Sequence, residues 1–561
     1  MVVGAKMTIQ HVPSKGRISI MKIQNFTVHK RNSVVKVVYG TLLAILAVVS
    51  FAIDPVDIFT NWYLDMQEGK FIYRMWEKPT YKLFSEVHIF NYTNIDTYMS
   101  GTDKVLKLKE IGPFKFQEFR TNANITVDRE RGVMTMLPRI DLQFLPEESV
   151  AHYKDINVVM PNIALIAIST LIADKLGYLV NAGAYYSISA IGSKLFRNMT
   201  AEELFWGYTD PMVSIANKLL PGWIDFEKIG IMDRFYAKRP EKAEVELGNV
   251  TKRFSVNSWN DSPGLVEQGF KDLNTSTLCN RIKGSFEGLM LPPKISKDTI
   301  VPIFRKQACR TYPFSFLEEM TGDFGFNYYR FQLQDSAFNK TSPYACSCSQ
   351  NCLPDGFVDI SNCYYGFPIA LSKPHYIDVD PVQQTYFEGL TPDPKKYQSQ
   401  LDVEPNVGVP LALSINIQVN IAVRTSPGNP ITKPVKDMVL PILRLSLYCK
   451  EAPPEVMQLL RLRFVIAPPL VITIEVLLFL IGAFFAVQGS YRIWKPRYKL
   501  IQQKEQPKVR RKSSERRRSS VILNMADNCA FKDDDELAKE AVSLLAITEE
   551  DGDLPDLLVD S

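Results

Sequence analysis

Hydrophobic and polar positions alternate in three different ways along this chain. From Val37 to Ile53 the sequence reads VVYGTLLAILAVVSFAI, without a charge. With Val34 to Lys36 the run reaches the roughly 20 residues that a hydrocarbon core requires. A second run, Phe464 to Val487, carries one charge, Glu475, among Leu, Ile, Val and Phe. Both runs predict membrane-spanning helices, at 34–53 and 464–489. Between them, 54–463 is punctuated by prolines and alternates with a period of two, as in Phe114–Phe119 and Leu411–Val419. Such alternation predicts antiparallel strands packed on two sides. The stretch 157–208 departs from it. It is rich in Ala, Leu and Ile at helical spacing, and Thr200-Ala201-Glu202-Glu203 makes a capping-box signature before Leu204. The expected class is therefore α+β, with a helical layer inside a strand-rich domain. A third span at 158–173 would leave an odd number of crossings and place the cysteines inside, so a buried helical layer is the better reading.

Charge orients this plan. The chain has 561 residues and a net charge of only +4, but the charges are segregated. The segment 1–33 holds Lys6, Lys15, Arg17, Lys22, Lys30 and Arg31 and no acid, whereas Asp54, Asp57 and Asp65 follow the first run. Behind the second run, 490–518 holds twelve Lys or Arg against Glu505 and Glu515. Both ends are expected in the cytoplasm and 54–463 outside or in a lumen, with Arg461 and Arg463 as exceptions to the rule. The first run lies behind 33 residues and precedes Asp54-Pro55, not a small-residue cleavage site, so it reads as a retained anchor. Acceptor sequences for N-glycans agree. Seven occur within 54–463, at Asn91, Asn124, Asn198, Asn249, Asn260, Asn274 and Asn339, of which Pro263 makes Asn260 the weakest; an eighth, at Asn25, lies on the expected cytoplasmic side and is unusable there. The tail, 490–561, is basic and then acidic, poor in apolar residues at its start, and reads as disordered.

Six of the eight cysteines fall between Cys279 and Cys363. In an exported domain such crowding predicts disulfides. Cys346-x-Cys348-x3-Cys352 lacks paired CxxC units and a nearby His, so no metal is expected. Cys449 is left over as a buried thiol, and Cys529 lies in the tail. No P-loop, HExxH, GxSxG or GxGxxG occurs, and only His88, His152 and His375 lie in the external segment. No enzyme activity or cofactor is expected. Nor is a nucleic-acid partner: the basic run RRKSSERRRSS lies beside a membrane, where it attracts anionic lipid.

Five phrases carry a resemblance: EIGPFKFQEF (110–119), EELFWGYTDPM (202–212), DISNCYYGFPIALSKPHY (359–376), GLTPDPKKYQSQLDVEP (389–405) and VLPILRL (439–445). With two anchors and six clustered cysteines, the chain resembles the class B scavenger receptors. That family includes the fatty-acid translocase, the lysosomal integral membrane protein and the insect sensory neuron membrane proteins, and the resemblance suggests an insect member. The resemblance implies an irregular antiparallel β-barrel-like core, an apical helical bundle at 157–208 and a tunnel toward the membrane. It implies the pairs Cys279–Cys346, Cys309–Cys363 and Cys348–Cys352. It implies capture of lipids or lipoprotein-like carriers, with transfer of apolar lipid of the fatty-acid, sterol or carotenoid class. The alternative is an adhesion, phagocytic or lysosomal cargo receptor. Some members carry a lysine at the tunnel mouth. Lys194 is the nearest counterpart here, and a solvated helix lysine is the plainer reading of it. The chain lacks the cysteines that flank the anchors in some relatives, which puts acylation there in doubt, and its tail is longer.

That tail carries two acidic dileucine patterns, Asp553 before Leu557-Leu558 and Glu540 before Leu544-Leu545, and a tyrosine pattern, Tyr498 to Ile501. Clathrin adaptors read such signals through an apolar pocket for the leucines. The expectation is cycling between the plasma membrane and endosomes or lysosomes. Leu557→Ala with Leu558→Ala, then Leu544→Ala and Leu545→Ala added, are expected to raise the surface pool stepwise in an antibody-uptake assay. An unchanged pool in the fourfold variant removes these leucines as signals.

Overall fold

The computed structural model describes residues 15–504 apart from 176–177, 220–221, 223, 323–324, 345–351 and 426–428. The chain divides into two units, 1–490 and 491–561. The first is mixed α+β: a fourteen-stranded sheet and several helices, with a long helix at each end of the domain. The main path of the sheet begins at Val301–Arg305 and continues through Arg310–Thr321, Asn327–Leu333, Gln400–Glu404, Val409–Ala422, Val439–Cys449, Leu83–Tyr92, Leu106–Asp128, Val133–Phe144 and Ala243–Glu246 to Val256–Trp259. Neighbours along this path are antiparallel. Both alternating stretches fall on it, 114–119 within Leu106–Asp128 and 411–419 within Val409–Ala422.

The sheet is not a closed barrel of paired strands, in keeping with an irregular core. Its end strands, Val256–Trp259 and Val301–Arg305, are not partners of each other. Residues 284–286 run between them as a seam. Val256 N–H donates to the Ser285 carbonyl at 2.7 Å and Gly284 N–H to that of Val256 at 2.9 Å. On the other side, Phe286 N–H donates to Pro302 and Phe304 N–H to Phe286, both at 2.8 Å. The edge amides are thus satisfied by an irregular segment, as buried backbone groups must be.

The first and last long strands of the domain are adjacent, paired from Phe84–Tyr448 to Ile89–Leu443. The chain therefore enters and leaves the domain side by side, and the two apolar helices follow from that. They are Lys15–Ile53 and Ala467–Lys504, the latter joined to Pro454–Arg461 through a widened π turn at Leu462–Ile466. Pro468 and Pro469 follow that turn and lack the N–H groups that would bond back into it, which accounts for the widening. Buried residues recur every seventh position: Ser33, Gly40 and Ala47 on one helix, Glu475, Gly482 and Gly489 on the other. A Cβ on Gly40 would lie 2.5 Å from the Gly482 carbonyl oxygen, and one on Gly489 2.8 Å from that of Ser33. The two backbones touch, as small residues permit between membrane helices. Ser50 Oγ donates to Glu475 at 2.6 Å and Lys36 Nζ to Gln488 at 2.7 Å. Glu475 is thus a polar lock within an apolar pair. The other faces expose Val, Leu, Ile and Phe, the surface that lipid would cover.

The central strands Val409–Ala422 and Val439–Cys449 are buried on both faces for most of their length. Their polar positions are covered and satisfied inside. Gln418 accepts the His375 N–H at 2.6 Å, Asn420 donates to Ser372 at 3.0 Å, and Ser446 donates to Asn416 at 2.7 Å. Four of the five phrases that carry the family resemblance meet on this face. Arg444 donates to Glu110 at 2.7 Å, and His375 Nε2 lies 3.3 Å from the other Glu110 oxygen. Tyr397 stacks near His375, with ring centres 4.9 Å apart, and Arg444 lies over the same ring. Burial pushes the Glu110 carboxyl up, but the His375 contact and the Arg444 charge outweigh it and hold it down to about 2.

The helical segment separates into parts. Ile163–Lys175 and Tyr178–Ala190 are helices; Ile163 to Ala167 of the first are buried, whereas Leu179 and Tyr186 of the second are exposed. Asn157–Pro161 pairs with Phe196–Thr200 and clasps the ends of that excursion. The capping box is formed: Thr200 Oγ1 accepts the Glu203 N–H and Glu203 accepts the Thr200 N–H, opening the helix Ala201–Trp206.

His88, paired with Arg444 across the strands, is lowered to about 4 by burial and by the Arg444 charge, and its Nδ1 is buried without a partner among the described residues. Its folded pKa lies below the unfolded value of about 6.5, so the unfolded chain binds the extra proton between those values. Stability from this group is present above about pH 6.5 and is lost as the pH falls toward 4. His88→Gln is expected to flatten the fall in Tm of the full chain between pH 6.5 and 4, removing on the order of 1–3 kcal/mol of pH-dependence. Parallel profiles for both proteins contradict this.

Candidate functional site: an apolar cleft beside the membrane helices

Leaving the first apolar helix, the chain turns at Asp54, whose carboxylate accepts the N–H groups of Val56 at 3.1 Å and Asp57 at 3.3 Å. Pro55 then starts the short helix Pro55–Tyr63. Its Val56 is buried, whereas Ile58, Phe59 and Trp62 are each about half exposed. Lys70 Nζ sits 5.0 Å from the Trp62 ring and 2.7 Å from Asp65. An apolar face with Trp and Lys at its margin suits the lipid–water boundary. Arg463 pairs with Asp57, which supplies a counter-charge for the exception to the flanking-charge rule.

Above this helix lies a cavity of about 360 Å³. Phe59 and Tyr63 form one wall, and Phe71, Ile72, Met75 and Trp76 of the helix Phe71–Glu77 form another. Val407, Val409 and Met290 close its inner end, while Leu459 and Leu460 lead to Ala467 and Val471 on the second apolar helix. The polar groups that border it are engaged elsewhere. Thr60 Oγ1 donates to Val56 of its own helix at 2.7 Å, and Tyr81 OH donates to the Pro410 carbonyl at 3.0 Å. What remains is a hydrocarbon surface of a size usual for small-ligand sites. Arg463 brings a charge to the rim of the lining and is paired with Asp57; among the described residues no cluster of His, Cys, Asp or Glu could hold a metal.

A model of the CD36 family matches residues 38–493, from within the first apolar helix to beyond the apolar part of the second. The chain belongs to the CD36 family. Scavenger receptor class B member 1 of Rattus norvegicus is 28% identical over 421 residues, covering 72% of this chain and 78% of the relative. Lysosome membrane protein 2 of Mus musculus is 27% identical over 473 residues, covering 80% and 92%, and that of Homo sapiens is 26% identical over 421 residues, covering 72% and 84%. These relatives support a class B scavenger-receptor role for this family member.

The structure places the expected site residues as follows. Cys309 and Cys363 are bridged, with Cα atoms 6.5 Å apart. Cys279 and Cys352 are disulfide-bonded as well, while Cys346 and Cys348 lie outside the described residues. Cys449 is buried and free, its Sγ 3.2 Å from the Glu451 carbonyl. Asn124, Asn198, Asn249, Asn260, Asn274 and Asn339 are exposed. Asn249 and Asn339 each accept the N–H and hydroxyl of the threonine two residues on, the local turn an acceptor sequence forms. Asn91 is half-buried and accepts the Val159 N–H at 2.7 Å. Lys194 is exposed, just before the strand Phe196–Thr200, and does not line the cleft. Tyr498 and Ile501 fall on the helix Ala467–Lys504, so the start of the tail is helical, continuing a formed helix through good helix formers. Glu540, Leu544, Leu545, Asp553, Leu557 and Leu558 lie outside the described residues. Sequence reasoning missed the cleft and the Ser50–Glu475 contact. The seven-residue recurrence of Ser33, Gly40 and Ala47 was the available signal for the latter.

The Cys309–Cys363 bridge ties the turn before Arg310–Thr321 to the 359–376 phrase across 54 residues. Cys309→Ser with Cys363→Ser is expected to destabilise the chain by about 2–5 kcal/mol, toward the low end in so large a domain. Denaturant midpoints measure this, and an unchanged midpoint contradicts it.

Proposed function

We propose that this CD36 family member is a cell-surface and endosomal receptor that takes apolar lipid from a carrier and passes it into the bilayer. The observation that carries this reading is the cleft: an apolar cavity whose lining includes residues of the second membrane helix. A fatty-acid or sterol chain crosses water at a large free-energy cost, and an apolar passage ending among membrane helices lowers that cost. The cleft is the exit of the passage, and the helical layer near Lys194 is its entrance. Both termini are cytoplasmic and the strand-rich domain is external, in line with the flanking charges and the exposed glycan acceptors. The kinship with lysosome membrane protein 2 and the tail motifs support residence in endosomes and lysosomes as well as at the surface.

Val409→Trp and Leu460→Trp place bulk in the cleft. Each is expected to reduce uptake of a fluorescent apolar lipid by about tenfold, equivalent to ~1.4 kcal/mol of lost transfer capacity, at unchanged surface level. Wild-type uptake in both variants, with normal surface staining, contradicts the proposal. A domain that adheres to particles while transferring no lipid supports the cargo-receptor reading instead.

A further inference from the structure

The cleft meets the membrane along one side of the second apolar helix. Arg463, Ala467 and Val471 line it at every fourth residue, and Glu475 is the next position in that row. The facing chain end is arranged in the same way. Pro55, Val56 and Phe59 line the cleft. Asp54, just before them, donates its N–H to the Ser50 carbonyl at 3.2 Å, so Ser50 lies one turn further along the first helix. Two polar contacts join these ends. Arg463 pairs with Asp57 at the rim, and Ser50 Oγ donates to Glu475 at 2.6 Å, one turn beyond the last lining residues. The apolar walls at the membrane end of the cleft thus lie between two ties.

Neither helix needs Glu475 to span a bilayer or to find its partner. A carboxylate is costly to insert at hydrocarbon depth, and leucine would span better. The backbones already touch further along, at Gly40 and Gly482, and one hydrogen bond between membrane helices adds only modestly to such a pair. Glu475 also breaks the stripe to which it belongs. It stands seven residues before Gly482, at a buried position where the pair otherwise carries small residues. A glycine there would let the backbones keep closing toward the cleft. The glutamate side chain fills that interval instead and is held to Ser50. A directional bond at this level fixes the separation and rotation of the helix at the point where it becomes cleft wall.

We infer that Glu475 is a positioning residue for the cleft: clasped to Ser50 within the membrane, it holds the second apolar helix at the spacing that keeps the cleft open to an apolar chain. The purpose of the clasp rests on the transfer reading, and its mechanism rests on the Ser50–Glu475 geometry alone. The role needs the length of the side chain and its hydrogen bond, not its charge, so glutamine serves in its place.

Two readouts on the full chain test this. One is uptake of a fluorescent apolar lipid at matched surface level. The other is the distance between spin labels on Ile58→Cys and Ile472→Cys in nanodiscs, with Cys529→Ser removing the tail thiol. Both labelled positions are about half exposed, and neither lines the cleft. Glu475→Ala is expected to lower uptake about fivefold and to shift or broaden the distance distribution, because filler and clasp are lost together. Glu475→Gln is expected to match the wild type in both. An unchanged distance distribution in Glu475→Ala overturns the inference. So does wild-type uptake in Glu475→Ala when Val409→Trp is impaired. A Glu475→Gln variant that behaves like Glu475→Ala also overturns it, because the role then belongs to the charge. If Val409→Trp transfers lipid normally while the Glu475→Ala distance shifts, the transfer reading fails and the clasp is upheld as a positioning contact.

Discussion

The pairing of the first long strand of the domain with its last is the constraint on which the rest depends. Leu83–Tyr92 lies against Val439–Cys449 residue by residue, although more than three hundred residues separate them in sequence. Chain entry and exit are thereby fixed at adjacent points. The membrane helices leave those points as neighbours, and heptad-spaced small residues let their backbones meet. Loss of the strand pairing would leave two independent anchors and no common wall for the cleft. The close approach of Gly40 and Gly482 contributes in the opposite direction, since it limits how far the two ends of the domain can splay.

The same pairing explains a core that is unusual in being polar on one side. Strands at the centre of a large sheet are covered on both faces, so their alternate polar residues meet other protein instead of water. Gln418, Asn420, Asn416, Ser446 and Arg444 are satisfied by one another, by Glu110 and by the segments at 370–399. A buried Arg–carboxylate pair adds little net stability compared with apolar packing, but breaking one partner is costly. Arg444 and Glu110 therefore act mainly to specify how the 370–400 segments dock on the sheet. Four of the phrases that mark the family converge there, a structural reason for finding them together in one chain.

Much of this was legible in the sequence. Apolar runs, the second broken only by Glu475, announced the two helices found at Lys15–Ile53 and Ala467–Lys504, because little but length and charge decides such a segment. Thr200 and Glu203 announced a helix start because a capping box is local. Period-two stretches announced strands at 114–119 and 411–419, but not that Asn416 and Gln418 would be buried, because alternation does not say what covers the polar face. That the end strands stay unpaired was not legible: closure depends on whether 284–286 intervenes between two edges, and no pattern in those residues reveals it. The cleft was illegible for a similar reason. Phe59, Trp76, Val409 and Leu460 come from four separate segments, and each reads alone as ordinary core. The stripe of Ser33, Gly40 and Ala47 was present in the sequence but hidden inside a run notable only for its lack of charge.

The central claim is that the cleft receives lipid chains in continuity with the bilayer. Photo-crosslinking tests it most directly. The full chain is reconstituted in nanodiscs containing a fatty acid with a diazirine in its chain, irradiated, digested and mapped by mass spectrometry. The account predicts adducts on the cleft segments around Phe59, Met75, Val409 and Leu460, in addition to those on the lipid-facing sides of the two helices. Adducts confined to the membrane helices, with none on Met75 or Val409, would contradict it.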